Sequence, residues 1–542
     1  MQTSTLRRGL LSGLFLLAGL LPAAAQRVLW ADASPTVVPK QHTLALNRFR
    51  AVAVQLGTVR STLRTAPSER SAAARQSGTV VSLPLPDGSS QRFRVVATQV
   101  MAPALAARYP RIRTYVAHGL DDPTATARLD VSPAGFHAQI LAANRTVYID
   151  PAAPGDTVHH LVFDQSSMSR SALGAVCYTP DGLDQHTITK LNRPAAMQRP
   201  NGSQLRTYRL AVACTGEYAA TKGGTKEGAL AGIVTSVNRV DGIYERELAI
   251  RMVLIPNNDR LIFLTDSTDR YTNDDGEIML RQNQAVLTDS IGSANYDIGH
   301  VFSTGGGGIA ALGSVCVAGV KGMGVTGLPT PVGDAFDVDF VAHEMGHQFG
   351  AEHTFNSQLG SCGGGTRSAS SAYEPGSGVT IMAYAGICDA DNLQDSSIPY
   401  FHSSSYDQIL DHVTGAGNCA VVTTTSNQAP TANAGANYRI PISTPFTLTG
   451  SATDPNGDAL TYSWEQYNLG PAGNATTPRG DAPIFRSFAP TSSTSRTFPR
   501  VSDLVNNTTT IGELLPTYAR RLIFRFVARD NRDGGGAWNM IQ

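Results

Sequence analysis

The chain has 542 residues, 42% of them hydrophobic and 16% charged, with 43 basic residues against 43 acidic ones. That length can build three or four hydrophobic cores, and the charge content is low for a cytosolic protein. A net charge of zero gives no electrostatic basis for nucleic acid or an anionic membrane as partner, so functions that depend on a field of one sign are set aside.

The start, MQTSTLRRGLLSGLFLLAGLLPAAAQ, places Arg7 and Arg8 before an apolar stretch from Gly9 to Leu21, then Ala23, Ala24 and Ala25. This is the layout of a secretory signal peptide at 1–25, with the precursor starting at Gln26 and export as the consequence. The stretch is short for a membrane span, and nothing later in the sequence approaches one.

Between 26 and 203, short runs such as TVVSLPLPDG, QRFRVVATQV, ATARLDVS and RTVYIDP alternate apolar and polar residues between Gly, Pro and Asp turns. That period predicts an antiparallel β domain. From Asn192 to Arg206 the sequence NRPAAMQRPNGSQLR is polar, with two prolines and several arginines. It predicts an exposed linker where a protease can cut.

The densest chemistry lies in HEMGHQFGAEH, from His343 to His353. Residues four apart share a helix face, so His343 and His347 can aim imidazole nitrogens at one metal ion. Glu344, one residue round, can reach a water there without becoming a ligand, which is the position of a general base. Gly350 falls where a left-handed residue would end the helix, and the turn brings His353 back to the ion. Three neutral imidazoles leave one tetrahedral position open, as in catalytic rather than structural zinc sites. Upstream, DAFDVDFVA suggests Asp337 as helix N-cap and Asp339 as negative charge in the first turn. Val338, Val341, Ala342, Met345 and Phe349 give that helix a buried face. The glycine run Gly305 to Gly308 lacks the GK[ST] ending of a phosphate loop and reads as a flexible loop beside the cleft.

Downstream, EPGSGVTIMAYAGIC is centred on Met382. The extended histidine pattern followed by this methionine run resembles the metzincin clan of metallopeptidases, whose methionine turn passes beneath the metal. Within the clan the chain is similar to reprolysin-like (adamalysin-type, M12B-like) peptidases, particularly secreted bacterial ones, from about Tyr208 to Cys419. The likeness takes in YRLAVACTGEYA, VNRVDGIYERELAIRMVLI, DIGHVFSTGGGGIAALGSVC and the histidine helix. It implies a mixed twisted sheet plus a zinc-binding helix, with Asp297 to Phe302 as the edge strand that holds an extended peptide by β-augmentation. It also implies that the β domain at 26–203 is a propeptide acting as folding aid and inhibitor.

Departures from the family pattern are specific. Thr354 stands where reprolysins have Asp, the methionine turn reads TIM rather than CIM, and Arg209 occupies the place of a calcium-binding glutamate. Tyr384 resembles the MxY tyrosine of astacins and serralysins. Two roles are open to it, an oxyanion donor or a ring packed in the turn.

In an exported chain, the six cysteines Cys177, Cys214, Cys316, Cys362, Cys388 and Cys419 are disulfide candidates. Cys362 and Cys388 flank the segment between third histidine and methionine turn, so their pairing would brace the cleft floor. The family resemblance implies that Cys316 pairs with Cys419 on the final helix. Cys177 and Cys214 form a third bridge, or Cys177 is a cysteine switch on the metal; the poor match of GAVCYTPDG to the switch motif and the thiol a switch would strand favour the bridge.

After Cys419, VVTTTSNQAPTANAG reads as a linker, and PFTLTGSAT, LTYSWEQY and RLIFRFVARDN read as strands at β-sandwich spacing. APTANAG and DPNGDALTYSWEQ resemble PKD-type or related Ig-like modules of bacterial exported proteins, with Trp464 as the core tryptophan. Asp454, Asn456 and Asp458 gather oxygens around Gly457, either as a calcium site or as a plain Asx-rich turn. The recorded chain stops at GGAWNMIQ, so the module is compact or continues beyond it.

These readings combine into a multidomain precursor: signal peptide 1–25, β-rich propeptide 26–203, α/β metzincin catalytic domain 204–422 and a C-terminal β-sandwich at 423–542. The expected function is a secreted zinc endopeptidase acting on proteins or peptides. The zinc (Zn2+) ligands are His343, His347 and His353, the base is Glu344, and Ca2+ is an option only in the C-terminal module. The S1′ pocket wall is expected within DNLQDSSIPYFHSS, after the methionine turn. The competing readings are a catalytically weak adhesin built on the same scaffold and a metal hydrolase acting on a non-peptide amide or ester. Retention of Glu344 disfavours the adhesin.

Overall fold

The structure is a computed structural model that describes residues 29–34, 46–69, 71, 74, 78–168, 200–532 and 536–541. The signal peptide, Cys177 and residues 192–199 of the expected linker lie outside the described residues. No helix among the described residues is long and apolar enough to cross a membrane.

The N-terminal region forms the expected antiparallel β structure, a nine-stranded sheet. Strands Val80–Pro84, Ser90–Thr98, Arg113–Gly119, Thr126–Ser132, Gly135–Ala142, Arg145–Pro151 and His159–Asp164 run as a meander, and Arg50–Val54 and Trp30–Asp32 extend it beyond the last. Alternation sorts the side chains: Ala127, Leu129 and Val131 join one core with helix Leu56–Leu63. Arg128 and Asp130 point to the opposite face, yet they are buried as well, because the long helix Lys226–Leu248 lies there. Arg128 pairs with Glu245, Thr235 donates to Asp130 at 3.0 Å, and Asn238 donates to the Leu129 carbonyl at 3.0 Å. Buried charges survive only when paired, so a polar strand face here marks an internal joint.

In the central region, strands Ile250–Leu254, Gln204–Cys214, Ile298–Ser303 and Gly324–Gly327 lie side by side and parallel, and Gly308–Ala310 runs antiparallel along the outer side of Gly324–Gly327. The expected peptide-holding edge at Asp297 to Phe302 is therefore corrected. That segment is hydrogen-bonded on both sides and every residue of Ile298–Ser303 is buried, and the edge strand is Gly308–Ala310. The glycine run is correspondingly split, its last member opening that strand. Helix Lys226–Leu248 and the histidine helix cover one face of the sheet, and helix Gly276–Ser290 covers the other. Residues 204–206 belong to the first strand, and Thr425 donates to the Gly202 carbonyl at 2.5 Å. The end of the expected linker is thus anchored.

Beyond strand Val421–Thr424, the C-terminal region builds small antiparallel sheets from Thr431–Asn433 with Ser451–Thr453, Phe446–Thr449 with Ser495–Phe498, and Thr461–Gln466 with Phe524–Arg529 and Gly536–Ile541. They enclose an aromatic core of Trp464, Phe485, Phe498, Phe524 and Phe526, so Trp464 sits where the sequence suggests. The region packs on the central one. The Arg525 guanidinium lies between the rings of Tyr467 (3.6 Å) and Trp538 (3.5 Å) and reaches Asp407 at 2.8 Å on helix Ser403–Thr414.

Candidate metal centre

The histidine segment is helical without interruption from Gly333 to Gln348: α-helical at Gly333–Phe336, π-helical at Asp337–Ala342, and α-helical again over His343–Gln348. Asp337 is therefore not the N-cap. The helix begins earlier, and the Asp337 carboxylate is buried inside it, accepting from Ser236 at 2.5 Å and Arg239 at 2.9 Å. Arg239 also pairs with Asp150 of the N-terminal sheet. Asp339 is likewise internal and accepts from the Ser397 N–H at 2.8 Å. The wide π turn sits immediately before the first histidine, and such turns recur at functional sites.

His343, His347 and His353 come together. Their Nε2 atoms lie 3.1, 3.3 and 3.0 Å apart, and the residues are at most 1% exposed. Each Nδ1 faces a backbone carbonyl: Ile381 at 2.6 Å for His343, Ala351 at 2.7 Å for His347 and Thr366 at 2.6 Å for His353. A carbonyl can only accept, so each Nδ1 carries the hydrogen and each Nε2 presents a lone pair. Three lone pairs converge in one buried space. Burial first, then the neighbouring imidazoles, hold His347 and His353 well below the ordinary histidine range, which keeps them neutral. A tetrahedral ion with Zn–N bonds of ~2.0–2.1 Å needs nitrogens about 3.3 Å apart, so the donor set fits zinc.

The surroundings explain the geometry. Gly350 has φ +95°, and its N–H donates to the His347 carbonyl at 2.8 Å; this left-handed residue turns the chain so that Ala351 can hold His347. Met382 lies under the helix, and a Cβ on Gly346 would come within 2.4 Å of its sulfur. The Tyr384 ring is buried, 4.6 Å from the His353 ring and 4.4 Å from Phe355. Glu344 is fully buried against the edge strand, where a Cβ on Gly308 would come within 2.2 Å of its Oε1.

Among the described residues two disulfides form, Cys362–Cys388 and Cys316–Cys419. Cys419 lies past helix Ser403–Thr414 rather than on it. Cys214 is buried and forms no disulfide among the described residues. Arg209 pairs with Asp297 at 2.7 Å. The Asp454, Asn456 and Asp458 group is joined by hydrogen bonds within one turn. Asp454 accepts from the N–H groups of Asn456 and Asp458, both at 2.9 Å, and Asp458 pairs with Arg532 at 2.8 Å, which is an Asx-type turn.

Some supporting residues escape sequence reasoning. His300 on the central strand is within 3.0 Å of Gln348 Oε1 and 2.9 Å of Thr326 Oγ1, and Gln348 donates to the Gly299 carbonyl at 2.9 Å. This brace ties the histidine helix to the sheet, and a lone HQ pair in the sequence carries no signal for it.

Two histidines on a helix, a third beyond the Gly350 turn, an acidic residue one position round and a methionine turn beneath are the parts of a metallopeptidase type of site. Residues 204–412 match the family described as Metallo-peptidase family M12B Reprolysin-like, and members of that family use zinc. The match covers less than half of the 542-residue chain and includes the triad and Met382. Comparison with curated proteins finds no match.

Proposed function

We propose that the chain is a secreted zinc endopeptidase made as a zymogen, with His343, His347 and His353 as ligands and Glu344 as general base. The observation that carries this reading is the convergence of three Nε2 lone pairs 3.0–3.3 Å apart. Zinc bound there would polarise the scissile carbonyl and acidify water. Glu344 takes the proton of the attacking water and delivers it to the departing amine. Gly308–Ala310, as the outermost strand, pairs with an extended substrate backbone. Tyr384 is assigned the packing of the His353 ring, and Tyr384→Phe, with a loss of ~10²–10³ in kcat, would assign it the oxyanion instead.

Export agrees with the two disulfides. The N-terminal sheet is read as the propeptide and 423–542 as a β-sandwich module. Because the chain is anchored from Asn201 onward, where Asn201 donates to the Leu248 carbonyl at 2.7 Å, a maturation cut falls before that residue. The test is hydrolysis of an unfolded protein substrate by the processed chain. Chelation should abolish it and zinc restore it; hydrolysis that persists in chelator overturns the reading.

A further inference from the structure

The loop that follows the third histidine is held from another part of the chain. Thr366, whose carbonyl accepts from His353 Nδ1 at 2.6 Å, is followed directly by Arg367. The Arg367 guanidinium donates from Nε and Nη2 to Asn356 Oδ1 at 3.1 and 2.9 Å, and from Nη2 to the Gly470 carbonyl at 3.0 Å. With its Oδ1 taken up by the guanidinium, Asn356 can only donate through its Nδ2, and this reaches the Pro471 carbonyl at 3.1 Å. The Asn356 carbonyl accepts from Gly473 N–H at 3.3 Å. Both ends of the loop carrying the His353 acceptor are thereby joined to each other and to a turn of the C-terminal region. The contact continues, since the Ala475 N–H donates at 3.1 Å to Asp391, which also takes the Ser357 hydroxyl at 2.6 Å.

We infer that the C-terminal region is a working part of the metal centre: the clasp of Arg367 and Asn356 on the 470–473 turn holds the Thr366 carbonyl where it orients the His353 ring. This rests on the triad being a zinc site. Arg367 is then a positioning residue for the third ligand. A ligating imidazole is kept in tautomer and direction by the acceptor of its other nitrogen, and losing such support typically costs ~10–100-fold in metal affinity. The hydroxyl of Thr366, donating to the Ser361 and Gly363 carbonyls at 3.1 and 3.0 Å, keeps the loop folded on itself. The clasp adds an attachment of that loop to the 470–473 turn, beside the Cys362–Cys388 bridge to the methionine-turn segment.

The test uses the full chain and two substitutions on opposite sides of the joint. Arg367→Ala removes the donors. Gly470→Ala leaves them in place but displaces the turn, because a Cβ there would lie 2.1 Å from the Ala482 nitrogen. Zinc release to a chromogenic chelator and the absorption spectrum of the cobalt-loaded protein are recorded. Both variants are expected to release zinc ~10–100-fold faster than wild type with an altered cobalt spectrum. Arg367→Lys, which retains a cation but not the planar fork, should be intermediate, and it decides the matter should Arg367→Ala not fold. Release at the wild-type rate with an unchanged cobalt spectrum overturns the inference. Wild type that takes up neither metal overturns the reading of the triad itself, a distinct outcome.

Discussion

Thr354 donates its hydroxyl to the Glu374 carboxylate at 2.7 Å, across the gap between third histidine and methionine turn. The same carboxylate accepts from the Thr380 hydroxyl at 2.5 Å and the Val379 N–H at 2.9 Å, and the Thr354 N–H donates to the Met382 carbonyl at 3.0 Å. The threonine that departs from the reprolysin pattern is thus partnered by a glutamate twenty residues on. Glu374→Ala strands several buried donors, each costing about 1–3 kcal/mol. A loss of at least ~3 kcal/mol in denaturant unfolding is expected, with faster metal release; an unchanged unfolding midpoint would refute this role.

Gly308 leaves room for Glu344. A methyl group there would meet the carboxylate oxygen at 2.2 Å and the Phe340 ring at 3.0 Å. Gly308 has no left-handed backbone requirement, so the conflict is one of space. Gly308→Ala should lower kcat by ~10²-fold or more, the scale of misplaced acid–base chemistry, while thermal stability and zinc content stay near wild type. Full activity would mean that Glu344 does not need this position.

Asp334 introduces a pH dependence at the joint between N-terminal sheet and histidine helix. Burial, and then the nearby Asp339, raise its carboxyl from 3.8 to about 7, while Tyr148 and Gln165 donate to it. The folded chain holds this proton more tightly than the unfolded chain. The stabilisation is therefore complete below about pH 3.8 and lost as pH rises through about 7. The unfolding free energy of wild type relative to Asp334→Asn should decline across that window in denaturant titrations, whereas a pH-independent difference would contradict the assignment.

Cys362–Cys388 closes a loop with a sequence separation of 26 that contains the Thr366 acceptor. Replacing both cysteines by serine should cost about 3 kcal/mol through the unfolded chain's regained freedom, measured by thermal unfolding at fixed zinc. Loss of proteolysis without loss of stability would mean the bridge acts only on the site.

What was legible in the sequence follows the range of the interactions. HEMGHQFGAEH encodes its own geometry, because helical spacing and the turn at Gly350 act within eleven residues, and alternation likewise exposed the N-terminal strands. Strand order is not local, so Asp297 to Phe302 was expected at an edge that Gly308–Ala310 occupies. Asp337 looked like a cap because an acidic residue before an apolar run usually is one. Its actual partner, Arg239, lies 98 residues away. The polar residues Arg128 and Asp130 gave no hint that a helix buries them, nor did Arg367 of its contact with the Gly470 carbonyl.

The role proposed for Glu344 is proton transfer at a metal held by three histidines. It is tested most directly by comparing wild type with Glu344→Ala, each purified with its zinc content measured and assayed on the same unfolded protein substrate. The expected result is equal zinc in both proteins and a loss of ~10²–10⁴-fold or more in kcat for the variant. Equal proteolysis by the two proteins at equal zinc content would contradict it.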